Sequence, residues 1–265
     1  MNPKGYNVNA NGIRHHLLRY QGPGPTMLLV PGITSPAVTW GFVAERLCAS
    51  FDVHVLDVRG RGLSQAGELD YSLDAMAQDI LALVDTLDFK NCVVLGHSMG
   101  ARNAIRALAG QDSNRIAGIV LVDPPVSGPG RRAYPAKLDW YMDSIALAQK
   151  GCSAQDMKAF CPTWTEEQRA LRAEWLHTCN EAAVRITFAG FHTDDIHHDL
   201  PAIKIPTRLV VAGGATVIGP DDISEIRSLL PSIEVRTVEG AGHMIPWDNL
   251  EGFLDAVMDF TPRLD

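Results

Sequence analysis

Apolar runs and helical periodicity alternate along most of the chain. Four continuous apolar runs are typical of parallel strands that are covered on both faces. They are MLLV at 27–30, VHVL at 53–56, CVVL at 92–95 and IVLV at 119–122. Between the second and third runs, apolar residues recur every three or four positions from Leu73 to Leu87, which predicts an amphipathic helix with Ser72 as its N-cap.

The alternation resumes towards the C-terminus. RLVVA at 208–212 and VRTV at 235–238 predict two more strands, and a helical pattern runs from about 249 to 260. Near the N-terminus, alternating residues flank Asn11-Gly12, a dipeptide that favours a two-residue hairpin between antiparallel strands. Together these patterns predict an α/β fold, with a mostly parallel sheet flanked by helices.

The interval 128–200 interrupts this alternation. It carries three of the five tryptophans, Trp140, Trp164 and Trp175, on helical-looking stretches such as EEQRALRAEWLHTC. About 70 residues placed between sheet elements fit a lid better than an independent core. We therefore expect a core made of residues 1–127 and 201–265, with a helical cap inserted at 128–200.

Composition narrows the classes of function. The 265 residues are 46% apolar and 20% charged, which is ordinary for a globular protein. The net charge of -8 gives no long-range attraction to nucleic acid or to a membrane surface, so neither is an expected partner. The sequence shows no secretory signal and no apolar run of about 18 residues, which predicts a cytoplasmic protein. The five cysteines form no CxxC pair and are interpreted as reduced structural thiols.

The sequence GHSMG at 96–100 lies between the predicted strand CVVL and the helical pattern ARNAIRAL. In that context GxSxG predicts a sharp strand-to-helix turn that holds the serine in a strained conformation, with room made by the flanking glycines. Ser98 is therefore the candidate nucleophile, and the amide of Met99 is a candidate oxyanion donor. A glycine-rich turn with an incidental serine is the alternative interpretation.

A serine hydroxyl needs a general base near neutral pH. Among nine histidines, His243 is the candidate because it follows a predicted strand in the glycine-rich loop EGAGHMIP. His97 lies in the turn itself and is expected to point away from Ser98. His197 and His198, in HTDDIHHD, raise a metal site as an alternative, but their spacing matches no recognised ligand pattern and no metal is predicted.

The carboxylate that orients the base is less obvious. In serine hydrolases with a GxSxG turn, this carboxylate usually follows the strand that RLVVA predicts, where this chain has Thr216. Asp221 and Asp222 follow a few residues later and are equally suited to opening the next helix. Asp123 follows the strand IVLV immediately, one strand after the nucleophile turn, and is our prediction for the acid.

The loop after the first apolar run reads VPGITSP and is expected to supply the second oxyanion donor. Gly32 permits close approach of the backbone, so the amide of Ile33 pairs with that of Met99 in this hypothesis. In DVRGRGLS, Asp57 and Arg59 are expected to brace loops rather than to take part in chemistry.

With these motifs in place, the whole chain resembles the α/β-hydrolase family and, within it, the N-formylmaleamate deformylases of nicotinate degradation. The narrower resemblance rests on VPGITSPAVTWGFVAERL, LDVRGRGLS, GHSMGAR, LVDPPVSGPGRRAYP, RAEWLHTC and AGHMIPWD. These stretches cover both core and cap, and agreement in the cap bears on substrate, whereas GxSxG alone bears on mechanism. The 2-(acetamidomethylene)succinate hydrolases share the GITS and GHSxGARN features, so a neighbouring amide stays open as substrate.

The resemblance implies a triad of Ser98, Asp123 and His243. It also implies hydrolysis of the formyl amide bond of N-formylmaleamate to formate and maleamate through a formyl-enzyme, with no metal or organic cofactor. A small carboxylated amide needs local positive charge in an acidic protein. Of the cap arginines 131, 132, 169 and 172, we select Arg172, together with Trp140, as candidates for substrate binding.

Two other functions stay open at this point. A hydrolase that cleaves carbon–carbon bonds in ring-fission products uses the same fold and triad. A non-catalytic small-molecule receptor of this fold is the alternative from a different class, and the presence of all three candidate triad residues argues against it. The sequence makes no prediction of oligomeric state.

Overall fold

An eight-stranded sheet forms the centre of the computed structural model, which describes residues 2–109, 114–214 and 217–262. Its spatial order is β1-β2-β4-β3-β5-β6-β7-β8. The first two strands and β4 pair in antiparallel fashion, and all the remaining neighbours are parallel, as the sequence predicts. The strands are β1 Lys4–Ala10, β2 Ile13–Tyr20, β3 Thr26–Val30, β4 Asp52–Asp57, β5 Cys92–His97, β6 Ile116–Val122, β7 Thr207–Ala212 and β8 Glu234–Val238.

The predicted hairpin joins β1 to β2. Ala10 pairs with Ile13, and both turn residues have positive φ, 46° at Asn11 and 75° at Gly12. A two-residue turn with positive φ at both positions matches the right-handed twist of the strands it joins. Asn11 is also tied to the adjacent helix, because its side-chain amide donates to Asp79 at 2.8 Å.

The central strands are covered on both faces. Every residue of β5, β6 and β7 is buried, in agreement with the continuous apolar runs of the sequence. Alternate residues of each strand enter two separate apolar clusters. In β5, for example, Val94 packs on one face, and Val93 and Leu95 pack on the other. The sheet is therefore a rigid platform whose carboxyl ends meet at one edge.

Helices connect the strands and cover both faces. In the part of the chain that the structure describes they are α1 Gly41–Leu47, α2 Leu73–Thr86, α3 Met99–Leu108, α4 Leu138–Gln149, α5 Ala154–Met157, α6 Glu166–Trp175, α7 Glu181–Thr193, α8 Pro220–Leu229, α9 Ile245–Asp248 and α10 Leu250–Met258. Ser72 caps α2 as predicted, accepting a hydrogen bond from the Ala75 amide at 3.2 Å. No helix among the described residues is both long and apolar enough to cross a membrane.

Helices α4 to α7 all lie between β6 and β7 in the chain, inside the interval predicted to be a cap. Their ends carry recognisable caps, among them Thr165 before α6 and Asn180 before α7. Arg61, from the loop after β4, donates to the Thr187 hydroxyl of α7 at 2.9 Å. This segment therefore packs on the loops at the edge of the sheet. Its boundaries at 128 and 200 stay a prediction.

Candidate active site

Ser98 occupies a strained turn between β5 and α3. Its φ of 54° and ψ of -116° lie in a region that residues with side chains rarely adopt. A Cβ on Gly96 would come within 2.4 Å of the Gly100 carbonyl oxygen, and one on Gly100 within 1.9 Å of the Val30 carbonyl oxygen. Only glycine fits at these two positions, so the GxSxG spacing follows from the close approach of α3 to strands β3 and β5.

A chain of hydrogen bonds links Ser98, His243 and Asp123. The Ser98 hydroxyl donates to Nε2 of His243 at 3.0 Å, and the Nδ1–H of His243 donates to Oδ2 of Asp123 at 2.7 Å. Asp123 is fully buried and Ser98 is 3% exposed. A buried carboxylate on Nδ1 fixes the tautomer in which Nε2 accepts a proton, which is the arrangement of a serine nucleophile and its base.

The structure separates Asp123 from the other candidate acids. Asp123 follows β6 in a strained conformation of its own, with φ of 45°. Asp222 instead accepts a hydrogen bond from the Gly219 amide at 2.7 Å and caps α8, where it also pairs with Arg132 at 2.6 Å. Asp221 is exposed in the first turn of the same helix. Thr216, which stands at the usual acid position, lies outside the described residues.

The two predicted oxyanion donors, the Ile33 and Met99 amides, belong to segments beside Ser98. A Cβ on Gly32 would lie 3.5 Å from Cβ of Ser98, so the loop after β3 closely approaches the serine. Among the described residues, neither the Ile33 amide nor the Met99 amide has a hydrogen-bond partner. Arg61 is fully buried and holds this loop, because its Nε–H donates to the Ile33 carbonyl at 3.1 Å. The role of this pair of amides as oxyanion donors stays a prediction.

His97 contacts the loop of the base instead of taking part in the hydrogen-bond chain. Its Nε2–H donates to the His243 carbonyl at 3.0 Å, and its ring packs on Trp40 with centroids 5.3 Å apart. Burial lowers the pKa of His97 to about 3, so the ring is neutral. The side chain therefore fixes the backbone that carries His243.

Ser98 and His243 face a cavity of about 640 Å³ between the sheet edge and helices α4 and α6. Its lining includes Ile33, Ser98, Trp140, Arg172 and His243, so both predicted substrate-binding residues reach it. Trp140 is 37% exposed, whereas Arg172 is 4% exposed. A buried arginine and the candidate nucleophile Ser98 thus line the same cavity.

No carboxylate pairs with Arg172 in the part of the chain that the structure describes. Its guanidinium donates to the Thr34 carbonyl at 3.2 Å and lies 5.6 Å from the ring centroids of both Trp140 and Trp164. The Nε–H has no hydrogen-bond partner among the described residues. A buried guanidinium without a counter-ion is costly unless a ligand supplies the negative charge.

The other cap arginines have protein partners elsewhere. Arg131 forms a two-pronged ion pair with Glu225 at 2.6 and 2.7 Å. Arg132 pairs with Asp222, and Arg169 donates to the carbonyls of Ala154 and Trp164. None of these three arginines lines the cavity, so only Arg172 of the predicted group reaches it.

The polar segment that raised a metal site contains ion pairs and a hydrogen bond to arginine. Asp199 accepts from Nε of Arg106 at 2.7 Å, and the Asp194 carbonyl accepts from Arg102 at 2.8 Å. His197 is buried, 3.5 Å from Asp195. The described residues contain no group of three or more His, Cys, Asp or Glu side chains arranged to hold a metal ion.

Two loop-bracing residues behave as expected. Asp57 accepts hydrogen bonds from the Ala37 amide at 2.6 Å and from His16 at 2.8 Å, and Arg59 forms a buried ion pair with Asp79. Tyr134, by contrast, was not identified from the sequence. Its hydroxyl lies 3.4 Å from Nε2 of His243. No periodicity marks it, because it belongs to the irregular segment before α4.

Comparison with known proteins identifies relatives along nearly the whole chain. A family model of the α/β-hydrolase fold matches residues 25–250. An N-formylmaleamate deformylase of Pseudomonas putida is 61% identical over 257 residues, covering 97% of this chain and 96% of the relative. A crystal structure of the N-formylmaleamic acid deformylase of Pseudomonas putida S16 superposes with a TM-score of 0.93 at 65% identity, covering 96% of this chain and all of that one.

A more distant relative shares the same fold. A 2-(acetamidomethylene)succinate hydrolase of Mesorhizobium japonicum is 27% identical, covering 92% of this chain and 90% of the relative. The family model, the relative at 61% identity and the sheet with its nucleophile turn all agree. The chain therefore belongs to the α/β-hydrolase family.

Proposed function

We propose that the protein hydrolyses the formyl amide bond of N-formylmaleamate, releasing formate and maleamate. The proposal rests on one observation above all. A Ser98–His243–Asp123 chain of hydrogen bonds opens into the same cavity as Arg172, a buried cation with no carboxylate partner among the described residues. The choice of substrate follows the relative at 61% identity, an N-formylmaleamate deformylase. N-formylmaleamate has both a formyl amide for Ser98 and a carboxylate for Arg172.

The first half of the reaction forms a formyl-enzyme. His243 takes the proton of Ser98 through Nε2 while the serine oxygen attacks the formyl carbon. The carbonyl oxygen gains negative charge and accepts hydrogen bonds from the Ile33 and Met99 amides, of which one such donor is typically worth ~3 kcal/mol of barrier. The C–N bond then breaks, and the imidazolium of His243 returns its proton to the departing nitrogen.

The second half releases formate. A water molecule takes the place of the departed amide, and neutral His243 removes its proton as it attacks the formyl carbon. Asp123 stabilises the imidazolium in both halves through its 2.7 Å hydrogen bond to Nδ1. Collapse of the second intermediate returns the proton to Ser98 and frees formate. Every step uses residues of this chain and water.

Arg172 orients the substrate by binding the carboxylate of N-formylmaleamate. A guanidinium presents parallel N–H groups that match a carboxylate, and its burial strengthens that interaction. Trp140 covers the guanidinium from the solvent side of the cavity. Both residues belong to the segment 128–200, which in this proposal is a cap over the core formed by residues 1–127 and 201–265. Binding at the cap then places the formyl group at Ser98.

A substrate panel tests the proposal. Purified protein is offered N-formylmaleamate, an uncharged N-formylamide, an N-acetyl analogue of the substrate and a dienol ring-fission product. Formate release is expected from N-formylmaleamate with the highest kcat/KM of the panel. Faster loss of the coloured dienol would instead indicate a carbon–carbon bond hydrolase. Failure of a fluorophosphonate to label Ser98 would indicate a receptor without catalysis.

A further inference from the structure

The hydroxyl of Tyr134 reaches the reacting atoms of the candidate site. It lies 3.4 Å from Nε2 of His243, the nitrogen that also contacts the Ser98 hydroxyl at 3.0 Å. Tyr134 lines the same cavity and is 6% exposed. In the proposed mechanism Nε2 hands its proton to the departing nitrogen, so a hydroxyl beside Nε2 lies near the expected position of the leaving group.

Neighbouring rings fix this position without involving the hydroxyl. The Tyr134 ring packs against Phe191 and Phe188 of α7, with centroids 5.0 and 6.2 Å away. Such edge-to-face contacts depend on the aromatic ring. The hydroxyl itself has one further polar neighbour on the cap side, the hydroxyl of Tyr141 at 3.3 Å. Replacement of Tyr134 by phenylalanine thus removes a donor while keeping the packing.

The phenol is a hydrogen-bond donor throughout the physiological range. Burial raises the pKa of Tyr134 well above 10, and Tyr141 and Asp123 raise it further. A neutral phenol has one O–H to give. In the free protein the Tyr134 oxygen lies 3.4 Å from Nε2 of His243, which is within reach of a substrate atom beside the scissile bond.

We propose that Tyr134 is a catalytic residue that donates a hydrogen bond to the carbonyl oxygen of the leaving group when an imide is cleaved. The inference rests on the proposed function, because it concerns an acyl-NH-formyl substrate. Such a substrate differs from an ordinary amide in that its nitrogen carries a second carbonyl. The leaving group is therefore an amide anion whose charge is shared with oxygen.

In this proposal the tetrahedral intermediate breaks down with loss of the maleamate amide. In the tetrahedral intermediate the C–N bond breaks, and its electron pair passes to nitrogen and, by resonance, to the neighbouring carbonyl oxygen. The Tyr134 hydroxyl donates a hydrogen bond to that oxygen and keeps its proton. The His243 imidazolium gives the proton of Nε2 to nitrogen, so that the neutral primary amide of maleamate leaves. The Ile33 and Met99 amides donate hydrogen bonds to the formyl oxygen, and the Tyr134 hydroxyl donates to the other carbonyl oxygen.

The test compares substrates that differ in their need for this donor. Tyr134→Phe is assayed on N-formylmaleamate and on p-nitrophenyl acetate, whose leaving group is a stable anion. We expect kcat/KM for N-formylmaleamate to fall about 10- to 100-fold, the range for a lost hydrogen bond to a charged group. The value for p-nitrophenyl acetate is expected to stay within about threefold, since the triad is intact.

Tyr20→Phe provides the matched control. Tyr20 is another buried phenol, 3% exposed, and does not line the cavity, so this variant is expected to match the wild type on both substrates. An equal loss on both substrates in Tyr134→Phe, or no loss on either, overturns the proposal. A wild-type protein that releases no formate from N-formylmaleamate overturns the proposed function as a whole. Far-ultraviolet circular dichroism of each variant identifies any loss of fold.

Discussion

Nδ1 of His243 lies 2.7 Å from the fully buried carboxylate of Asp123, although 120 positions separate the two residues in the chain. Asp123 follows β6 and His243 follows β8, and the sheet places β7 between these strands. The hydrogen bond therefore spans the loop region above β7, where the carboxyl ends of the parallel strands come together.

Asp123→Ala is expected to lower kcat by roughly 10⁴, because loss of the carboxylate leaves His243 without a fixed tautomer. Steady-state kinetics of formate release measures the effect. Asp222→Ala is the matched control, since Asp222 caps α8 and contacts neither Ser98 nor His243. A larger loss of activity in Asp222→Ala than in Asp123→Ala would show that the acid has been wrongly assigned.

Ser98→Ala is expected to abolish turnover and covalent labelling by a fluorophosphonate while leaving the melting temperature close to that of the wild type. The hydroxyl supplies the attacking oxygen, but its removal leaves no cavity of consequence. Ser127→Ala is a suitable control, because the Ser127 hydroxyl is buried and has no partner among the described residues. Labelling that persists in Ser98→Ala would place the nucleophile elsewhere.

Arg172→Met is expected to raise KM for N-formylmaleamate by about 10- to 100-fold, the range for a lost hydrogen bond to a charged group. An uncharged N-formylamide is expected to be affected much less, since it lacks the carboxylate. Arg169→Met tests specificity, because Arg169 lies on the same helix and does not line the cavity. Equal effects of Arg172→Met on both substrates would rule out a carboxylate anchor.

The pKa of His97 predicts a contribution to acid sensitivity. Burial lowers that pKa to about 3 in the folded protein from an ordinary value of 6.5. Between these two pH values the unfolded chain binds a proton at His97 that the native state does not bind. The contribution of His97 to the free energy of unfolding is therefore complete above pH 6.5 and is lost as the pH falls towards 3. One such group changes the free energy of unfolding by up to ~1.4 kcal/mol per pH unit in this range.

Urea unfolding at a series of pH values measures this slope. The free energy of unfolding of His97→Gln is expected to fall less steeply with decreasing pH than that of the wild type. His177→Gln, at an exposed histidine, is expected to follow the wild-type curve. Identical slopes for the wild type and His97→Gln would contradict a neutral buried His97.

Local patterns in the sequence predicted most of the scaffold. The four continuous apolar runs became β3 to β6, and the Asn11-Gly12 turn joined β1 to β2. These predictions succeed because a strand buried on both faces and a two-residue turn are each specified by the residue types of a few consecutive positions. The two glycines around Ser98 carry the same kind of local information, since contacts with the neighbouring backbone leave no room for a Cβ at either position.

Side chains that work through distant contacts were harder to select. The four cap arginines considered as candidates carried the same local signal, yet of these only Arg172 lines the cavity, because Arg131 pairs with Glu225 and Arg132 with Asp222. Tyr134 carried no local signal at all. Its proximity to His243 arises from the way the segment before α4 folds back over the sheet edge. Sequence spacing does not encode such contacts.

The sequence by itself determined the fold class, the position of the strained serine and the histidine most suited to be its base, because each depends on a short motif in a recognisable context. The sequence selected Asp123 and Arg172 from several candidates, but only the tertiary structure brings Asp123 into contact with His243 and Arg172 into the cavity. Those placements depend on the order of strands in the sheet and on how the segment between β6 and β7 packs over its edge. Both bring together groups that lie far apart in the chain.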